Sequence, residues 1–219
     1  MKPLANIFSQ ADLERIKAAV KTAEGKTSGE IVPFVVEQSD AYEDAEWRGA
    51  SLGAIVVFCL LTVVRQYTGI WIPLDVPAIG LATLAAGAIC FLAVRYVPWL
   101  KVRLAGKHLV AHRVSQRAAE AFISEEVFRT RDRTGILLFV SLLEHRVLVV
   151  GDSGINAKVE QSDWHDVVQR IIRGINEGKI TDGLVDAIGK CSTLLSARGV
   201  RRRRDDRDEL PDSLRISDR

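Results

Sequence analysis

With 219 residues, 24.2 kDa and a formal net charge of +2, the chain has room for one ordinary domain and a small accessory, and its charge gives no case for nucleic acid as a partner. Its three cysteines, Cys59, Cys90 and Cys191, have neither zinc-knuckle nor disulfide-framework spacing and read as small buried hydrophobes. There is no phosphate-binding loop, no dinucleotide-binding glycine pattern and no internal repeat.

The first residues, MKPLANIFSQ, lack the apolar core of a secretory signal, so the first export signal expected lies further on. Ser9 is placed to cap a helix, with Asp12 three residues later, and Leu13, Ile16, Ala19 and Val20 follow at helical spacing until Gly25 and Gly29. Glu30–Val36 is β-branched and aromatic and predicts a strand, which Pro33 assigns to an edge or a bulge. Two apolar runs then break the pattern of a soluble domain. Gly49–Val64 and Val76–Val94 contain no ionisable side chain, and a bilayer-crossing helix needs about 20 such residues. Trp47 and Tyr67 supply interfacial ends for the first run, and a short loop with Gly69 and Pro73 returns the chain. Residues 42–100 therefore predict a transmembrane helical hairpin, with spans near 49–66 and 76–95.

Beyond it, Lys101–Phe128 carries an apolar stripe at helical spacing, with cations on the membrane-proximal half. Thr130–Thr134 is a charged turn, and Gly135–Leu142 is nearly continuous apolar, the pattern of a strand covered on both faces. Glu144 and His145 turn the chain into Arg146–Val150, and Gly151–Gly154 breaks that strand. Trp164–Ile175 and Leu184–Leu195 predict two amphipathic helices, the second capped by Thr181 or Asp182. From Val200 onward the tail mixes arginines with carboxylates, has almost no apolar content and predicts disorder.

The order is thus α-β-hairpin-α-β-β-α-α. Residues 1–41 and 101–199 must combine into one α/β domain, because the two well-separated strands need each other to form a sheet covered by helices. Residues 200–219 form the charged tail. Arg95, Lys101, Arg103, Lys107, Arg113 and Arg117 follow the second run, against Arg65 in the short loop. That bias predicts cytoplasmic termini and an integral protein of the inner membrane.

This order, with GEIVPFVVE, GILLFVSLLEHRVLVVGDSGI and EGKITDGLVDAI, resembles the TPM-domain family over roughly residues 9–41 and 103–197. The subgroup it most resembles consists of bacterial membrane proteins with a hairpin between the two parts of the domain. The resemblance implies an α/β/α sandwich interrupted by the two-helix transmembrane hairpin. It also implies a link to acid phosphatase activity, to divalent-cation binding, or to assembly and repair of membrane complexes. Metal-binding members use acidic residues beside a "DNGV" segment and at the end of an "IEVGYG" strand. Here those segments read Arg131-Asp132-Arg133-Thr134-Gly135-Ile136 and Val149-Val150-Gly151-Asp152-Ser153-Gly154, so Val150 replaces the strand Glu and Asp152 follows two positions later.

Asp152, with Glu144, His145 and Asp163, is the remaining polar cluster. Asp152, Asp163 and Glu144 are the candidate ligands for a divalent cation such as Ca²⁺ or Mg²⁺, which take oxygen donors. The competing reading makes Asp152 an Asx-type turn residue in GDSG and Asp163 a favourable charge at a helix start. His108 and His112 share a helix face at zinc-chelating spacing, but Leu109 stands where a zinc protease has its Glu, so they read as membrane-flanking residues. The basic segment Lys101–Arg117 is suited to anionic head groups as well as to setting topology. The sequence therefore leads to a non-catalytic, membrane-anchored interaction or assembly module, with a divalent-metal-dependent phosphatase as the alternative. Its expected partners are the lipid bilayer and a membrane protein. The small residues Gly80, Ala85, Ala86, Gly87 and Ala88 allow close helix packing within the hairpin or between copies in a homo-oligomer.

Overall fold

In a computed structural model of the chain, residues 7–67, 75–203, 205 and 208–217 are described. The predicted loop residues Gly69 and Pro73, and Arg204 and Asp206 of the tail, lie outside them. The chain divides into two compact units, Met1–Asp40 with His112–Arg219, and Ala41–Ala111.

The first unit is built on a four-stranded mixed sheet of order β3-β2-β1-β4. Strands β1 (Glu30–Val36) and β2 (Gly135–Ser141) run parallel, with Glu30 opposite Gly135 and Val36 opposite Ser141. Strand β3 (Arg146–Gly151) returns antiparallel to β2, pairing Ser141 with Arg146 and Ile136 with Gly151. Both β1 and β2 are buried along their whole length, as the nearly continuous apolar run predicts for β2.

Alternation along these strands sorts their side chains onto two faces. Ile31, Val35, Ile136, Leu138, Val140, Val147 and Val149 form one core with three helices: α1 (Gln10–Glu24), α7 (His165–Asn176) and α8 (Ile180–Ala197). Trp164, Ile171, Leu184 and Ile188 fill that core without measurable exposure beyond 1%. On the other face, the rings of Phe34 and Phe139 stack at 5.9 Å. Helix α5 (Lys107–Ser124) serves this face: its Arg117 donates to Ser217 Oγ, and Glu125 just beyond it pairs with Arg215. In register, Arg215 and Ser217 lie beside Phe34 and Val36. The sheet thus has helices on both sides.

Helix α1 starts where Ser9 predicts. Ser9 Oγ accepts from Asp12 N while Asp12 returns a carboxylate to Ser9 N, a complete capping box. Helix α8 begins earlier than its apolar pattern suggests, so Thr181 and Asp182 lie inside its first turn and Lys179 is the cap residue. There Asp182 accepts from Arg15 of α1 at 2.7 Å. Gly174 and Gly183 let α7 and α8 cross with almost no gap: a Cβ on Gly174 would stand 2.8 Å from Gly183 Cα.

Three expectations change. The stripe from Lys101 is not one helix: Gly106, at φ +85°, separates α4 (Pro98–Ala105) from α5. Pro33 is not in an edge strand over β1's full length, because β4 (Arg215–Ser217) covers β1 at Phe34–Val36. That pairing begins one residue after Pro33, which lacks the N–H a ladder requires. The third change concerns the tail, expected to be disordered. Val200 is 1% exposed and accepts from Thr27 Oγ1 at 2.6 Å, Leu210 is buried, and Leu214 and Ile216 pack against the core. A few apolar side chains at the right register outweigh the polar composition around them.

The second unit is a helical hairpin. Helices α2 (Glu43–Tyr67) and α3 (Val76–Tyr96) are both long and apolar enough to cross a membrane, with almost none of their apolar length buried. Leu84 is 73% exposed and Ile55 59%. At about 1.5 Å per residue they measure about 37 and 31 Å, against a hydrocarbon core of about 30 Å. Glycines set their contact: a Cβ on Gly49 would stand 2.5 Å from Val94 and one on Gly53 2.3 Å from Cys90 Sγ. Buried Glu46, in the first turn of α2, meets Lys101 at 2.8 Å and Arg95 at 3.5 Å, while Arg48 donates to the carbonyls of Leu104 and Ala105. These contacts bind α4 to α2, which is why this unit extends past residue 100 to Ala111.

Candidate functional site

Asp152 sits where β3 ends, in the corner between Gly151–Gly154 and the turn Thr130–Thr134. The turn is locally self-supporting: Thr134 N donates to Thr130 Oγ1 at 2.8 Å, and Arg133 adopts a left-handed φ of 57°. Arg133 O then accepts from Gly154 N at 2.9 Å, and Gly135 O from Asp152 N at 2.9 Å. Gly154 is obligatory here, since a Cβ would lie 2.2 Å from Asp132 O.

The Asp152 carboxylate, 7% exposed, has one oxygen hydrogen-bonded and the other only ion-paired. Oδ1 accepts from Ser153 N at 2.6 Å and caps the single helical turn α6 (Ser153–Asn156). Oδ2 lies 3.1 Å from Arg133 Nε, without hydrogen-bond geometry, so that contact is Coulombic. The Arg133 guanidinium also lies 5.8 Å above the Phe128 ring. Asp152 thus acts as turn residue, cap and counter-ion together.

Asp163 serves a 3-10 turn, Gln161–Trp164, that leads into α7. It accepts from Glu160 N at 2.9 Å and pairs with Arg198. The Glu160 N–H, then Arg198, hold its carboxyl below the usual range. Glu144 lies elsewhere again. It belongs to the β2–β3 turn, where it accepts from Ser141 Oγ and from Ser39 N at 2.8 Å, tying the chain after β1 to the hairpin turn. His145 completes that turn at φ 50°.

Asp152 and Glu144 therefore occupy opposite ends of β2, about 20 Å apart along the strand. The predicted cluster of Asp152, Glu144 and Asp163 is not brought together. Period-2 spacing places strand ends in sequence but says nothing of which end a turn residue joins, and the three carboxylates have separate partners: backbone N–H groups and arginines for Asp152 and Asp163, Ser141 Oγ and Ser39 N for Glu144. His108 and His112 are both exposed on α5.

The structure instead assembles a carboxyl group cluster that sequence reading missed. Glu24 at the end of α1, Asp208 and Asp212 have oxygens within 4.8 Å of one another, and Glu30 of β1 lies beside them. Glu24 Oε1 accepts from Ile31 N at 2.7 Å, and Glu30 Oε2 from Leu210 N at 3.3 Å. Burial, then the neighbouring carboxylates, push Glu24 up to about 9 and Glu30 up to about 7. Asp208 is raised as well, by burial and by Asp212. These groups meet only because the tail folds back. The signal was the SLRIS stretch, Leu214 and Ile216 alternating with polar residues just past Pro211.

No protein-family model matches the chain, and no curated protein matches it. Among solved structures it is similar to the NMR structure of BA42 protein from the psychrophilic bacterium Bizionia argentinensis sp. nov., at a TM-score of 0.61 and 19% identity. The match covers 99% of this chain and 100% of that one. At that identity the likeness bears on the fold alone.

Proposed function

We propose that this chain is an integral membrane protein whose α/β unit is a TPM-like, non-catalytic interaction or assembly module at the cytoplasmic surface of the inner membrane. One observation carries the reading: two uncovered apolar helices are inserted in the crossover between the parallel strands β1 and β2. Their apolar side chains face outward and need a hydrocarbon environment, and the antiparallel hairpin returns the chain to the side it left. A domain split in this way is tethered by both of its halves. The cations from Arg95 to Arg117 support the cytoplasmic assignment.

The α/β/α arrangement suits a platform that presents its outer edges and helices to a membrane partner. The alternative, a phosphatase using Ca²⁺ or Mg²⁺ at Asp152, is disfavoured by that residue's commitment to Ser153 N and Arg133. Crosslinking in native membranes followed by mass spectrometry tests the proposal, with a phosphate-ester assay in parallel. A stoichiometric membrane partner and no hydrolysis support the module. Hydrolysis that requires a divalent cation and is lost in Asp152→Ala would replace it with the enzyme.

A further inference from the structure

The outer edge of β1 is completed by a short segment that the chain supplies to itself. Strand β4 is three residues long, pairs in parallel with Phe34–Val36, and is reached from α8 by an extended stretch with no other regular element among its described residues. Its chemistry is simple. Arg215 pairs with Glu125 at 3.2 Å, Ile216 enters the main core beside Val35, and Ser217 accepts from Arg117. The edge thus asks for a cation, an aliphatic side chain and a small polar one in alternation, plus main-chain ladder bonds.

We propose that this edge is a strand-docking site for an extended, basic segment of a partner protein, which residues 208–217 occupy in cis. Charge complementarity identifies the partner. Removing the segment leaves the three carboxylates Glu24, Glu30 and Glu125 along the edge against the cation Arg117 that contacts β4, which favours a cationic strand. The cis segment is a poorer ligand than that. It brings Asp208, Glu209 and Asp212 onto Glu24 and Glu30, with Lys21 of α1 and Arg202 as the nearby cations that relieve them. Arg131 draws Glu209 and Asp205 aside through its backbone N–H and guanidinium. A covering segment built from like charges is one that a better-matched strand displaces. In the closed state burial, then the neighbouring carboxylates, raise both Glu24 and Glu30.

The inference rests on the reading of the α/β unit as an interaction module and gives that module a partner chemistry. Its test uses the full-length protein in nanodiscs and two labelled peptides. One has the sequence of residues 208–217; the probe is the same peptide with Asp208, Glu209 and Asp212 replaced by Asn, Gln and Asn. The probe is expected to bind roughly tenfold more tightly than the native-sequence peptide at pH 8, the gap shrinking at pH 5.5 as the carboxyl groups take up protons. Hydrogen exchange should show Ile216 and Ser217 of the protein losing protection while Val35 and Val36 keep theirs. In the variant Ile216→Asp, which loosens the cis segment, the probe should bind at least about tenfold more tightly than to wild type. No binding to either protein overturns the proposal, as does binding that leaves Ile216 protected. So does an Ile216→Asp variant that loses protection throughout β1 and β2 without taking up probe, since the segment would then be a fixed part of the fold. Any of these failures, beside a crosslinked membrane partner, would leave the module standing with its docking surface elsewhere.

Discussion

Glu24→Gln is expected to stabilise the α/β unit, and to do so only above acidic pH. Glu24 is 9% exposed, and burial with its carboxylate neighbours moves its carboxyl from the ordinary 4.5 up to about 9. A carboxyl group raised on folding costs nothing below its unfolded value. The cost grows from there until the pH reaches the folded value, at about 1.4 kcal/mol per pH unit. At pH 7 this amounts to about 3 kcal/mol, and at pH 5 to less than about 1. Glutamine is neutral at every pH, accepts from Ile31 N as Glu24 Oε1 does, and can donate toward Asp212 where the protonated acid would. The variant should therefore recover most of the pH 7 cost and little of the pH 5 one. Hydrogen exchange of the β1 and β2 amides in nanodiscs, corrected for intrinsic rates, reads this directly: about a hundredfold added protection at pH 7 and only a few-fold at pH 5. Equal protection gains at both pH values, or a loss at pH 7, would refute the assignment of a proton to Glu24.

Other expectations follow from packing. Gly154→Ala drives a methyl into the carbonyls of Asp132 and Arg133 and should cost about 2–4 kcal/mol, seen as lower protection of β2 and β3, whereas Ser153→Ala should cost less than about 1. Gly53→Leu forces α2 from Cys90 and should weaken the hairpin by about 1–3 kcal/mol, measured by steric trapping or by loss of a crosslink between cysteines placed on α2 and α3. Asp152→Asn removes the partner of Arg133 and weakens the α6 cap, so about 1–2 kcal/mol of stability should go, with no change in any phosphate-ester hydrolysis. Accessibility tags beyond Arg215 and between residues 68 and 74 should report opposite sides of the membrane; the same side for both would end the hairpin reading.

The two apolar helices were legible because composition alone marks them: each contains an uncharged apolar run and is long enough to cross a membrane. Strand β2 was legible for a related reason, since GILLFVS must be covered on both faces wherever it lies. The capping box of Ser9 and Asp12 is local chemistry and needs no tertiary information. What escaped the sequence depended on long-range choice. Strand β4 draws its energy from Ile216 and Leu214 reaching a core assembled elsewhere, so local composition gave the wrong sign. The break at Gly106 was hidden because the apolar stripe continues through it. Asp152, Asp163 and Glu144 have the chemistry of cation ligands, yet Asp152 and Asp163 are taken up by neighbouring N–H groups and arginines, and Glu144 by Ser141 Oγ and Ser39 N. The carboxyl cluster at Glu24 and Glu30 joins residues nearly two hundred positions apart, which no local pattern announces.

The placement of the apolar helices also fixes a schedule. Roughly a hundred residues separate the end of β1 from the start of its partner β2, several seconds of synthesis at about 5–20 residues per second. Throughout that interval Ile31–Val36 is an apolar strand with no neighbour, while α2 and α3 are already being made. On the proposed membrane reading, insertion into lipid precedes closure of the sheet, and the membrane is the first solvent the nascent chain must satisfy. On that reading a failure at insertion would leave β1 unpaired, so quality control of this protein would begin at the bilayer, before the sheet of its α/β unit can close.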